Sequence, residues 1–137
     1  MERKELLFGT AYYPEYMPWD RIDEDFDMME KAGMNVVRIA ESTWSTLEKE
    51  DGVFDFSYID KVIKKAEETG MKVIIGTPTY AVPSWLVKKD PDIMVTTKEG
   101  KAAYGHRQIF DILNPTYLHY GERVIRRLLE HTAFILL

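Results

Sequence analysis

Two rhythms of apolar residues alternate along this chain. Leu6-Leu7-Phe8-Gly9-Thr10-Ala11-Tyr12 is a short apolar run closed by aromatic residues and Pro14, the pattern of a buried strand running into a loop. From Asp20 to Ala32 the spacing lengthens: Ile22, Phe26 and Met29 fall at i, i+4 and i+7, while Asp23, Glu24, Asp27 and Glu30 take the other faces. That is an amphipathic helix, and Gly33 is its stop. Asn35-Val36-Val37-Arg38-Ile39 is too short and too β-branched for a helix and predicts a second buried strand. Tyr58 to Thr69 repeats the helical spacing through Ile59, Val62, Ile63 and Ala66, and Gly70 ends it. Met71 to Gly76 is a third strand, closed by Pro78.

Strand, helix, strand, helix, strand, with nearly continuous apolar strands, predicts an α/β protein whose parallel sheet is covered on both faces. The connection from Thr77 to Pro115 is far longer than the usual βα loop of about 2 to 6 residues. It holds a short predicted helix at Ser84 to Lys89, and long loops of this kind tend to carry function. Thr116 to His131 forms a last helix with Tyr117, Tyr120, Val124 and Leu128 on one face and Arg123, Arg126 and Arg127 elsewhere. Ala133 to Leu137 resembles the start of another buried strand. No matching repeat, low-complexity tract or linker interrupts the sequence, so residues 1–137 are expected to form one unit.

Composition narrows the function. A formal net charge of −5, from 18 basic against 23 acidic residues, opposes attraction to phosphate backbones, so nucleic acid is not an expected partner. With no cysteine there is no disulfide, thiol nucleophile or cysteine-based zinc site. The charged stretch Met1 to Glu5 leads into an apolar run too short for a signal peptide core or a membrane span, so no membrane is expected and a cytoplasmic location is the default.

In α/β folds the working groups collect where the parallel strands end. Here those ends carry Tyr12-Tyr13-Pro14-Glu15, then Arg38-Ile39-Ala40-Glu41 with Trp44, then Gly76-Thr77-Pro78-Thr79-Tyr80 with Trp85. Rings, carboxylates and arginines on one rim suit a carbohydrate, whose CH faces stack on aromatics and whose hydroxyls need polar partners; the same rings also suit a packed rim. Arg38, at the end of a strand expected to be buried, needs a counter-charge, and Glu41 is the nearest one. The pair either shapes a pocket floor or touches substrate directly. Glu15 is a second carboxylate at the rim or an exposed surface residue. Arg107, in Tyr104-Gly105-His106-Arg107-Gln108, could clamp hydroxyls with its fork of donors. His106, His119 and His131 share no short ligand spacing, and neither a phosphate-binding glycine loop nor a Gly-x-Ser-x-Gly elbow occurs.

Several ordered runs together resemble glycoside hydrolase family 42, the β-galactosidases. They are Gly9 to Glu15, Val37 to Ser45 with Leu47-Glu48, Gly52 to Phe56, Gly76 to Leu86, Pro91-Asp92-Ile93 and Gly105-His106-Arg107. The resemblance covers about Leu6 to Leu129 in the family's order.

It implies the first three to four βα units of a (β/α)8 barrel, not closed on its own, since a full barrel takes roughly 200 residues or more. It implies a retaining enzyme that removes terminal β-linked galactose with two glutamates about 5 to 5.5 Å apart. The family's acid/base follows an Asn at the end of the fourth strand, and its nucleophile lies at the seventh. No Asn-Glu dipeptide occurs here, so no catalytic residue is assigned and the chain alone is expected to be inactive. By the resemblance, Arg107 matches an arginine that contacts galactose, Arg38 and Glu41 match a pair at the pocket base, and Trp85 matches a structural rim tryptophan. Where many members carry a zinc-binding cysteine this chain has Phe110, so no metal or cofactor is expected. The expected partners are a β-galactoside and, through an open sheet edge, another copy or the missing portion of a barrel. The open alternatives are a non-catalytic galactoside-binding module, a barrel-completing piece, or part of a related retaining barrel of family 35 or 5.

Overall fold

In the computed structural model, residues 5–105 and 109–133 are described. In chain order the strands and α-helices are β1 (Gly9–Ala11), α1 (Ile22–Lys31), β2 (Val36–Ile39), α2 (Trp44–Leu47), β3 (Glu48–Glu50), β4 (Val53–Phe54), α3 (Ser57–Thr69), β5 (Lys72–Ile75), α4 (Ser84–Lys89), β6 (Thr96–Thr97), β7 (Gly100–Lys101) and α5 (Pro115–Ala133). They form two compact units that interleave along the sequence, 1–40 with 57–76 and 41–56 with 77–137. No single point in the chain divides them, so neither a linker nor a composition shift marks the division.

The first unit is the predicted β-α-β-α-β. Its sheet runs β1-β2-β5, all parallel, with Gly9 opposite Val36 and Arg38 opposite both Ala11 and Ile74. Both long helices stop where expected. After α1, Gly33 takes φ 77° and Met34 N–H reaches back to the Met29 carbonyl at 3.0 Å; after α3, Gly70 takes φ 68° and Met71 N–H bonds Ala66 at 2.8 Å. This is the six-to-one closure that a left-handed residue makes possible. Val37 and Ile39 of β2 are wholly buried, as are Phe26 of α1 and Ile59 and Val62 of α3. The opposite row of the sheet is open: Ala11 and Arg38 are exposed and Ile74 is 47% exposed. The apolar strands predict cover on both faces; the unit supplies helices for one face only.

The first strand is also shorter and more exposed than its apolar run suggests. Leu6, Leu7 and Phe8 precede it at 83, 49 and 52% exposure, and among the described residues β1 pairs with β2 alone. Gly9 is fixed by its neighbour, since a Cβ there would lie 1.7 Å from the Val36 carbonyl oxygen.

The second unit centres on Trp44, Val82, Leu86, Ile93, Met94, Phe110 and Val124. Its helices α4 and α5 fall where the spacing places them. Apolar spacing does not reveal α2 or two small antiparallel hairpins, β3-β4 and β6-β7. Each is only a few residues long, below the length at which a period can be read. The run Phe134 to Leu137, whose apolar character suggests the start of a strand, lies outside the described residues. Among the described residues, no helix is long and apolar enough to cross a membrane.

Candidate functional site

Glu41 opens the second unit, between two residues in an unusual backbone state. Ala40 has φ 72° and Ser42 φ 65°, both left-handed without being glycine. Such residues cost about 1 kcal/mol or more each and persist only where the surroundings enforce them. The residues that follow are firmly held, with Thr43 2% exposed and Trp44 not at all.

Glu41, Thr77, Thr79, Tyr80, Phe110, Ile112 and Tyr117 line a cavity of about 320 Å³ within this unit. Phe110 and Tyr117 stack at 4.5 Å with 25° between their planes, and the Tyr117 hydroxyl donates to the Thr79 carbonyl at 3.2 Å. Burial pushes the Tyr117 phenol above its ordinary value, so it stays a neutral donor. The wall therefore offers one carboxylate as acceptor, several hydroxyls and a ring pair, with no second charge in the lining among the described residues. That combination suits a neutral, polyhydroxylated ligand better than an ionic one.

Behind the cavity lies a charge enclosed by rings. Glu48 is fully buried; its Oε2 accepts the Trp44 indole N–H at 2.9 Å, and its Oε1 accepts the Gly52 N–H at 2.8 Å and the Arg123 guanidinium. The Trp85 indole donates to the Glu48 carbonyl at 2.9 Å. Arg123 lies 4.5 Å from the Tyr120 ring centre, 5.7 Å from Trp85 and 5.8 Å from Phe54, and also reaches Asp51 at 2.8 Å. Hydrogen bonds from Lys89 and then Arg123 hold the Asp51 carboxyl below its usual value.

The residues named from sequence are distributed as follows. Glu41 is in the cavity wall. Arg38 belongs to the first unit and is exposed, which removes the argument that burial obliges it to pair with Glu41. Arg107 and His106 lie outside the described residues. Glu15, one of whose readings is an exposed surface residue, instead has both carboxylate oxygens shielded from solvent without a hydrogen-bond partner among the described residues, and burial raises its carboxyl above the ordinary value. Trp85 packs against the second unit's core. Among the described residues, no group of three or more His, Cys, Asp or Glu is placed to hold a metal. Phe110 is 8% exposed and stacked on Tyr117.

Parallel strands joined through helices define the class, an α/β protein. The family model for β-galactosidase, glycoside hydrolase family 42, matches residues 11–133, and the chain belongs to that family. It is 36% identical over 125 residues to a β-galactosidase of Thermus thermophilus, covering 90% of this chain and 19% of that protein. With the β-galactosidase BgaH of Haloferax lucentense it shares 33% over 129 residues, covering 93% and 20%. Among solved structures, the β-galactosidase of the Antarctic haloarchaeon Halorubrum lacusprofundi superposes with a TM-score of 0.87 at 32% identity, over 92% of this chain and 19% of that one. The cold-adapted enzyme of Rahnella sp. R3 gives 0.88 at 29%, with the same coverage. The chain thus spans about one fifth of the length of the relatives it matches.

Sequence reasoning passes over Glu48, Arg123 and Tyr117 as site residues. A signal exists for the first: Trp44 and Glu48 stand at i, i+4, the spacing that lets an indole N–H meet a carboxylate within one helical turn. Helical spacing sets Arg123 apart from the buried face of α5, yet it follows Tyr120 by three positions and precedes Arg127 by four, which puts it on the aromatic edge of that face.

Proposed function

We propose that this chain carries part of the galactoside-binding rim of a retaining β-galactosidase barrel, with Glu41 in the pocket wall and Arg107 and Arg38 as further substrate contacts. The observation that supports this most is the Glu41 cavity, with its hydroxyls and the Phe110–Tyr117 ring pair, in a chain of this family. A galactose ring presents hydroxyls and a CH face, for which a carboxylate acceptor and aromatic rings in one pocket lining are suitable partners. Catalysis in a retaining mechanism needs two carboxyl groups about 5 to 5.5 Å apart across the glycosidic bond. Among the described residues the pocket lining holds one, Glu41. These 137 residues are therefore proposed to bind a β-galactoside without hydrolysing it.

Isothermal titration with methyl β-D-galactoside tests the reading. Weak binding is expected, in the millimolar range that corresponds to about 4 kcal/mol. Glu41→Gln and Arg107→Ala should each weaken it, and a chromogenic β-galactoside should stay at background turnover. Turnover that depends on Glu41 would overturn the proposal.

The open row of the first unit's sheet favours a second reading alongside the first. β1 and β5 each pair on one side only among the described residues, and Ile74 is exposed. Edges of this kind accept further strands, so the chain is also proposed to self-associate or to complete a barrel with the remaining portion. Activity that appears only on mixing with that portion would support it.

A further inference from the structure

We propose that Glu48 is a positioning residue for the Glu41 pocket, acting through the Trp44 indole and the Phe110–Tyr117 ring pair in the pocket wall. The proposal rests on the galactoside reading of that pocket. Glu48 does not line the cavity, yet two contacts separate it from the wall. Its Oε2 accepts the Trp44 N–H at 2.9 Å, and the Trp44 ring packs against Tyr117 at 6.3 Å with 55° between planes. Tyr117 lines the cavity, stacks on Phe110 and holds the Thr79 carbonyl.

The same indole sits two residues beyond Ser42, whose φ is 65°. A left-handed turn at a residue with a side chain relaxes unless the chain beside it is fixed. Trp44, with no exposed surface and its N–H bound to a buried carboxylate, supplies that fixed point. The Glu48–Trp44 pair therefore sets both the aim of Glu41 and the position of the rings that share its cavity. Glu48 is held in turn by the Gly52 N–H and Arg123.

The geometry makes the carboxylate, rather than any polar group, necessary. Glu48 receives donors on both oxygens. A glutamine has one acceptor oxygen and an NH₂ that must face a donor, so either the Trp44 side or the Gly52 and Arg123 side loses its partner. The indole then shifts, and Tyr117 with it.

The test uses the full chain with backbone amide resonances and methyl β-D-galactoside titration read together. Glu48→Gln should move the amides of Glu41, Thr77, Thr79 and Tyr80 and weaken the galactoside about tenfold. Asp51→Asn is the control: it loosens the solvent side of the same charge network, at Lys89 and Arg123, away from the indole. It should lower the melting temperature while leaving the pocket amides and the affinity in place. Unmoved pocket amides in Glu48→Gln, or equal movement in Asp51→Asn, overturn the proposal. If the unmodified chain binds no galactoside, the galactoside reading fails, while the amide shifts still decide the role of Glu48. Should Glu48→Gln not fold, Trp44→Phe keeps a ring in the core but removes the N–H that Glu48 holds, and pocket amides that stay put in that variant overturn the proposal equally.

Discussion

Replacing Arg123 by Met leaves the aliphatic length against Tyr120 and removes the charge that faces Glu48. Because Glu48 has no exposed surface, its carboxylate would keep two N–H donors and lose its cation. Breaking a buried ion pair from one side costs about 3 to 5 kcal/mol. The Arg123 side chain is 29% exposed, so the lower end applies, about 3 kcal/mol. Glu48→Gln should cost about 2 kcal/mol, from one donor left without an acceptor and the lost charge assistance. If the two acted independently, the double variant would lose about 5 kcal/mol; because a glutamine has no charge to strand, it should lose only about 3, a coupling of about 2 kcal/mol. Urea unfolding followed by tryptophan fluorescence suits the measurement, since Trp44 and Trp85 both bond to Glu48. With a slope of about 2 kcal/mol per molar, the Arg123→Met midpoint should fall by roughly 1.5 M. A double variant whose loss equals the sum of the singles within about 0.5 kcal/mol would show that the carboxylate and guanidinium do not act as a pair.

Other outcomes follow from single positions. Gly9→Ala places a methyl group against the Val36 carbonyl, a backbone atom that can yield only by displacing β2, so the first unit should lose about 2 kcal/mol or more, read by circular dichroism melting. Burial raises the Glu15 carboxyl, so the fold favours its protonated form; stability from this group is present below the usual carboxylate value and lost as pH rises through it toward the raised one. Glu15→Gln should therefore flatten the stability profile across that window and raise the melting temperature at neutral pH, and an unchanged profile would contradict the burial argument. Ile74→Glu, on the open sheet row, should lower concentration-dependent association in sedimentation velocity while leaving the circular dichroism spectrum unaltered.

The elements with many turns or an unbroken apolar run are legible in the sequence. Phe26 with Met29, and Ile59, Val62 and Ile63, mark their helices by spacing alone, and Gly33 and Gly70 mark the ends because only a left-handed residue makes the closing bonds. Val36 to Ile39 is legible as a strand for its β-branching. Exposure is less so. The apolar pattern of Leu6 to Phe8 states a preference for burial, and this unit has no layer to satisfy it. Glu41 can be named because it follows a strand end. Glu48 cannot, since a glutamate in a charged stretch such as Glu48-Lys49-Glu50-Asp51 looks solvated until the indoles of Trp44 and Trp85 close over it. The residues that bring them there, Tyr117 to Val124, are some seventy positions away.

The interleaving of the two units limits how this chain can be shortened. Its path passes from one unit to the other after Ala40, Phe56 and Gly76, so neither unit is a continuous stretch that a pair of cuts could release. A truncation ending near Gly76 would hold every strand of the parallel sheet together with an orphaned Glu41–Phe56 segment, whose Trp44 and Glu48 would have lost the Arg123 and Trp85 that enclose them. A truncation starting near Thr77 would carry those enclosing residues around an empty centre. A deletion from either end therefore cuts into one unit before it frees the other, and the first unit becomes a continuous chain only when 1–40 is joined directly to 57–76.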